Sequence, residues 1–187
     1  MRRYNLMACA LVITFVATQQ SVCAQQTGAT GDDAYMARIM TAAPPGVVKD
    51  ATIAQLQKDG TMRTVRQGTN QFTCMVLPGG PNGTPMCADK GAMRWMGAYM
   101  MHTAPPDVTG FMYMLAGDEG TSNTDPYATA PTPTNHWVKT GPHVMILGPT
   151  AKTMGYPATA DPDVSKPYVM WPGTPYAHLM IPVSTNP

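Results

Sequence analysis

Charge, serine and phenylalanine are all scarce in this chain. Only 12% of its 187 residues are Asp, Glu, Lys or Arg, about half the usual share near 25%. Solubility must therefore rest on Thr, Asn, Gln, Gly and Pro, a habit of exported proteins. Its 12 Lys and Arg nearly cancel its 11 Asp and Glu, which leaves no basic footprint for nucleic acid or anionic lipid. Beyond Ser21 the serines are Ser122, Ser165 and Ser184, and none lies in the Gly-x-Ser-x-Gly turn of an α/β-hydrolase nucleophile. The sequence also lacks Gly-x-Gly-x-x-Gly after a strand, a phosphate loop and His-Glu-x-x-His. Those absences exclude the common dinucleotide, nucleoside-triphosphate and zinc-protease readings.

What is present begins with a targeting pattern. Arg2 and Arg3 precede an apolar run over residues 6–17, and Val22-Cys23-Ala24 offers a small-residue cleavage site. The run is too short for a good membrane span, and no later run is long enough to cross a bilayer. We read residues 1–24 as a signal peptide, residues 25–31 as a flexible polar start and residues 32–187 as a single domain. Periplasmic or secreted is the expected location. The 163 residues left carry a formal net charge of −1 and suffice for one hydrophobic core.

Two cysteines survive removal of the signal, Cys74 and Cys87. In an oxidising compartment an isolated pair is most simply a disulfide. A redox centre would want Cys-x-x-Cys, and a zinc knuckle would want more ligands.

The elements follow from local patterning. Asp32 or Asp33 can cap a helix over residues 34–42 that stops at Pro44-Pro45. A hairpin is expected over residues 51–66, turning at Asp59-Gly60. A third strand covers 71–77, and a disulfide loop over 78–86 then leads into a helix. That helix, residues 91–102 with Asp89 as N-cap, carries Met93, Trp95, Met96, Tyr99, Met100 and Met101 against the single charge of Arg94. A helix so apolar is usually buried, with its methionines as adaptable core filler. Residues 109–116 read as a strand with apolar residues on both faces. Residues 117–140 have no apolar period, and an ordered loop of that length is often functional. The whole reads as α+β: one domain, a mainly antiparallel sheet packed on one buried Met/Trp-rich helix, and one disulfide.

Two strands near the C-terminal end spell His-x-Met. Side chains alternate along a strand, so His143 shares a face with Met145, and His178 shares a face with Met180. On the opposite faces Val144, Ile146, Leu179 and Ile181 are the residues better suited to a core. Pro172-Gly173-Thr174-Pro175 is a turn between strands at 168–171 and 176–183. If the two His-x-Met strands are neighbours, the four side chains come within reach of one another. Imidazole and thioether together suit Cu(I).

Several stretches together resemble a group of bacterial exported proteins with no assigned activity. They are Arg66-Gln67-Gly68-Thr69-Asn70, the Cys74 to Cys87 loop with Ala88-Asp89-Lys90, Ser122-Asn123-Thr124-Asp125-Pro126-Tyr127, Gly141-Pro142-His143-Val144-Met145 and Gly173-Thr174-Pro175-Tyr176-Ala177-His178-Leu179-Met180. The resemblance covers most of the mature chain. It implies a bacterial envelope setting and a single domain, and supplies no catalytic residue.

Three functions stay open on these residues. The first is a binding module that takes a small molecule or an envelope protein through the 117–140 segment and the histidine face, with His143, His178, Asn123 and Asp125 as ligand-binding candidates. The second is a copper protein that uses His143, Met145, His178 and Met180. The third is a hydrolase-like enzyme with His143 or His178 as base beside Asp118 or Asp125.

Overall fold

A computed structural model describes residues 26–78 and 82–183; the expected signal peptide lies outside them. Helix α1 runs over Gln26–Ile39 and α2 over Pro45–Asp50, with Pro45 in its first turn. The first helix thus begins within the segment expected to be a loose start. Strands β1 (Thr52–Leu56) and β2 (Met62–Arg66) form the expected hairpin, with Gly60 at φ 82° in its turn. Next come β3 (Thr73–Leu77), β4 (Thr84–Ala88) and α3 (Lys90–Met100). Asp89 caps α3, its Oδ1 accepting from Ala92 N at 2.8 Å, as Asp does at an N-cap.

Strand β5 is Gly110–Met114, followed by a two-stranded ribbon of β6 (Thr121–Ser122) and β7 (Trp137–Val138). The chain finishes with β8 (His143–Leu147), the short α4 (Pro149–Thr153), β9 (Tyr168–Met170) and β10 (His178–Pro182). Eight strands make one sheet in the order β2-β1-β3-β4-β5-β8-β10-β9. Every pairing is antiparallel except β1 with β3. The fold is α+β, with a bond joining Cys74 and Cys87.

Strand β4 stands where the sequence pattern predicts a loop. Pro85 and the turn residues before it hid an alternation that pairs with β3 residue for residue, Cys74 opposite Cys87 and Met75 opposite Met86. The disulfide therefore crosslinks two neighbouring strands at directly opposed positions.

Two apolar clusters flank the sheet. On one face Ile53, Cys74, Cys87 and Tyr113 lie in one register row and pack with Ile39, Ala42 and Val48 of the N-terminal helical segment. Tyr35 fastens α1 there, donating to Ala54 O at 2.7 Å and accepting from Val76 N at 3.0 Å. On the other face a row of Ala88, Met112, Met145, Met180 and Tyr168 runs across five strands beneath Trp95 and Met96 of α3. The close approach of helix to sheet needs glycine. A Cβ on Gly110 would fall 2.2 Å from Ala92 N, and one on Gly91 would fall 2.3 Å from Thr109 O.

This assignment of faces corrects the sequence expectation. Along β8 the buried residues are His143, Met145 and Leu147, while Val144 and Ile146 are only half-buried. The aliphatic face was expected to be the core, yet α3 and the long loops cover the His/Met face instead. Thioether side chains are flexible and polarisable enough to fill the irregular space beneath an indole-bearing helix. Leu179 alone among the four aliphatic residues is fully buried.

Candidate functional site

Above the methionine row the sheet, α3 and the 117–140 segment enclose a cleft of about 630 Å³. Its floor includes Met112, Met145, Met170 and Met180, its helix wall Trp95 and Tyr99, and its far walls Trp137 and Trp171. The volume falls within the usual range for small-molecule sites, roughly 300–1,000 Å³. The segment from which function was expected does line it, through Asp118, Thr121 and Trp137 among others. Asp118 and Glu119 are the charged groups of the lining, and no Lys or Arg joins them among the described residues.

That segment is tied down by aromatic and amide groups rather than by an apolar core of its own. Tyr99 stacks on Tyr127 at 5.3 Å and on Trp171 at 5.2 Å, and its hydroxyl donates to Pro126 O at 2.7 Å. Trp171 adopts a positive φ of 55°, uncommon for a bulky side chain. Two hydrogen bonds hold it there: its amide donates to Asn123 O at 3.0 Å and its indole to Ser122 O at 2.8 Å. Strain of this kind persists where the surroundings over-determine it, and it concentrates at binding sites.

Both histidines are fixed in the same way. The Nδ1–H of His143 donates to Gly141 O at 2.7 Å, and that of His178 to Tyr176 O at 3.0 Å. In each ring Nε2 is then the nitrogen with a free lone pair. His143 Nε2 is buried and has no partner among the described residues, and the same holds for the indole N–H of Trp95. A buried polar group left unsatisfied costs about 1–3 kcal/mol. The walls of the cleft thus bury one unmet acceptor and one unmet donor.

Burial governs the charges. It pushes the His178 imidazole down to about 4, opposed by the Tyr176 carbonyl and reinforced by His143. His143 is lowered by burial too, against the Gly141 carbonyl and the nearby Asp118. Asp118 is raised by burial, although the amides of Thr140 and Gly120 and the imidazole of His143 pull the other way. Its Oδ1 accepts from both those amides, at 3.0 and 2.9 Å. Tyr168, pushed up to about 12 by burial, stays a neutral phenol bonded to Thr140 Oγ1 at 2.7 Å.

A pH dependence follows. An unfolded histidine titrates near 6.5, whereas native His178 resists protonation to about 4. Between those values the unfolded state binds more protons. Stability is therefore fully present above pH 6.5 and is lost as the pH falls toward 4, by up to about 1.4 kcal/mol per pH unit. His143 acts in the same sense. Asp118 acts in the opposite one, its contribution fading as the pH rises through its raised value. Denaturant midpoints at pH 7 and 4.5 should differ, and His178→Gln should flatten the slope. An unchanged slope in that variant would remove His178 as the cause.

Comparison with known proteins adds nothing to this geometry. The chain matches no family model, no curated protein and no solved structure.

The candidate residues divide. His143 and His178 line the cleft. Asn123 is buried behind it, its Nδ2 donating to Thr159 O and Ala160 O at 2.9 Å each, so it joins two loops. Asp125 is exposed, its Oδ1 accepting from Tyr127 N at 2.9 Å. Strands β8 and β10 are neighbours, and Met145 lies directly opposite Met180. The two histidines do not oppose each other. His143 faces Pro182 across that pair, four residues along β10 from His178, roughly 13 Å at the rise of a strand. Each imidazole has its own methionine across the other flanking strand: Met114 for His143 and Met170 for His178. The expected metal quartet therefore meets at its methionines, with the two imidazoles at opposite ends.

Three lining residues carry a share that the sequence reading did not assign: Trp171, Met112 and Met114. Met112 and Met114 had a visible signal, since alternation along Phe111-Met112-Tyr113-Met114 puts both thioethers on one face of a strand. Trp171 had none, because its role depends on a loop folding over it.

Proposed function

We propose that the protein is an exported bacterial envelope domain that binds a small, mostly apolar molecule in the cleft between α3 and the sheet. The observation that carries this reading is the pair of buried, unpartnered groups, Trp95 Nε1–H and His143 Nε2, set in walls of thioether and aromatic rings. Both atoms lie beneath the cleft surface, so a guest that shifts the side chains over them, with an acceptor near one and a donor near the other, would meet both needs. Asp118 and Glu119 disfavour an anion, so the guest is neutral or cationic. Export is supported by the N-terminal sequence pattern and by the disulfide, which suits an oxidising compartment. No helix among the described residues is long and apolar enough to cross a membrane.

The hydrolase reading has less support. Asp118 and His143 interact through space, but no hydrogen bond joins them: His143 Nδ1 is committed to Gly141 O, and Asp118 Oδ1 to two backbone amides. A histidine base is ordinarily oriented by the group that bonds its second nitrogen. Here that group is a backbone carbonyl.

Titration with Nile red, a neutral planar dye, tests the binding reading in metal-free protein. Saturable, blue-shifted emission is expected. Trp137→Ala, which removes a half-buried wall residue, should weaken binding about tenfold, ~1.4 kcal/mol, with an unchanged far-ultraviolet dichroism and thermal midpoint. Emission that never saturates, or equal affinity in both proteins, would refute the cleft as a ligand site.

A further inference from the structure

We propose that His143, Met114 and Met145 form a Cu(I) site at one end of the cleft. His143 and Met114 are directly opposite each other on β8 and β5, and Met145 is the next residue of β8 on the same face. Opposed residues have Cβ atoms roughly 4.5–5.5 Å apart, and diagonal ones remain within reach of long side chains. All three side chains are buried, at 0%, 6% and 7% exposure for His143, Met114 and Met145, and all three line the cleft.

The imidazole is prepared for a metal rather than merely buried. Its Nδ1–H is held by the Gly141 carbonyl at 2.7 Å, which fixes the tautomer and aims the Nε2 lone pair away from the backbone. Histidine ligands almost always carry such a second bond. No described group donates to Nε2, so its lone pair is free to meet a metal.

The donor set selects the ion. Two thioethers and an imidazole are soft-to-borderline ligands that suit Cu(I), whereas Mg²⁺ and Ca²⁺ require oxygen. His178 stands apart from this set. It lies four positions along the neighbouring register, and its ring sits edge-on to Trp171 at 4.8 Å and to Trp95 at 5.4 Å. The inference does not rest on the organic-ligand reading, since it uses one end of the cleft and no aromatic wall.

The experiment is competition for Cu(I) under anaerobic conditions between the mature protein and bicinchoninate, a chromophoric chelator. The parent is expected to hold one Cu(I) per chain. Met114→Leu/Met145→Leu, which keeps side-chain volume and removes both sulfurs, should hold it at least about tenfold more weakly. Met112→Leu/Met180→Leu, which removes two neighbouring thioethers from the same row, should match the parent. Thermal midpoints of the metal-free proteins check that each variant folds. No retention by the parent, or equal retention by parent and Met114→Leu/Met145→Leu, would overturn the site. Equal loss in both double variants would overturn this choice of ligands. Dye binding that persists in metal-free protein while copper is not retained would count against the copper site alone.

Discussion

Replacing Trp95 by alanine is expected to lower the free energy of unfolding by about 3–5 kcal/mol. Trp95 is 4% exposed and sits where α3 meets the methionine face. Its indole stacks with Trp171 at 6.3 Å and with Tyr99 at 6.0 Å, and meets Tyr176 and His178 edge-on at 5.9 and 5.4 Å. Truncation therefore removes one side of several aromatic pairs and leaves a void beside unbranched side chains. Trp95→Phe should cost less, because it keeps a ring in place and deletes the N–H that has no partner. Urea midpoints for the two variants decide the matter. A Trp95→Ala midpoint equal to that of the parent would show that α3 contributes little to the core.

Loss of the disulfide is expected to be the second largest effect. Closing the loop from Cys74 to Cys87 is worth roughly 3 kcal/mol by the chain-entropy argument. Both sulfurs lie in fully buried residues under α1, so Cys74→Ala/Cys87→Ala also removes packed atoms and should lose somewhat more than reduction alone. Mass measurement after alkylation, with and without reductant, establishes whether the bond forms in the folded protein. Two free thiols in folded protein would sink the prediction.

Much of the architecture was legible because short-range rules governed it. Asp59-Gly60 fixed a hairpin, Asp89 fixed a helix start, and Pro172-Gly173 fixed the final turn, where Gly173 takes φ 78° and Thr174 N donates to Trp171 O at 3.2 Å. Strand β4 was not legible, because Pro85 argues locally against a strand, while the pairing that makes it one comes from β3. The buried face was misread for a related reason. Alternation tells which residues share a face but not which face another element will cover. That depends on where α3 and the loop over 117–140 come to rest, and hydrophobicity alone favoured valine and isoleucine over methionine and histidine.

The site was legible in part for the same causes. His143 and His178 stood out as rare residues in repeated spellings, and the structure puts both in one cleft. Asn123 and Asp125 lie in the same short stretch from Ser122 to Tyr127, yet one is a buried tie between loops and the other part of a surface turn. Whether the two His-x-Met pairs would meet depended on register. Strand pairing sets that register, and here it separates the two imidazoles by four positions along β10.

The methionine row has a consequence for how the domain ages. Thioethers take up oxygen to become sulfoxides, which are polar and disrupt an apolar contact. Met40, Met62, Met100, Met101 and Met154 are between 42% and 70% exposed and can be oxidised without any opening of the fold. Met112, Met145 and Met180 are at most 7% exposed and meet an oxidant only through the cleft or when α3 lifts. The surface methionines therefore act as a first charge of scavenger. A guest of the kind proposed above would shield the ones beneath it, so occupancy would set the rate at which the core wears out.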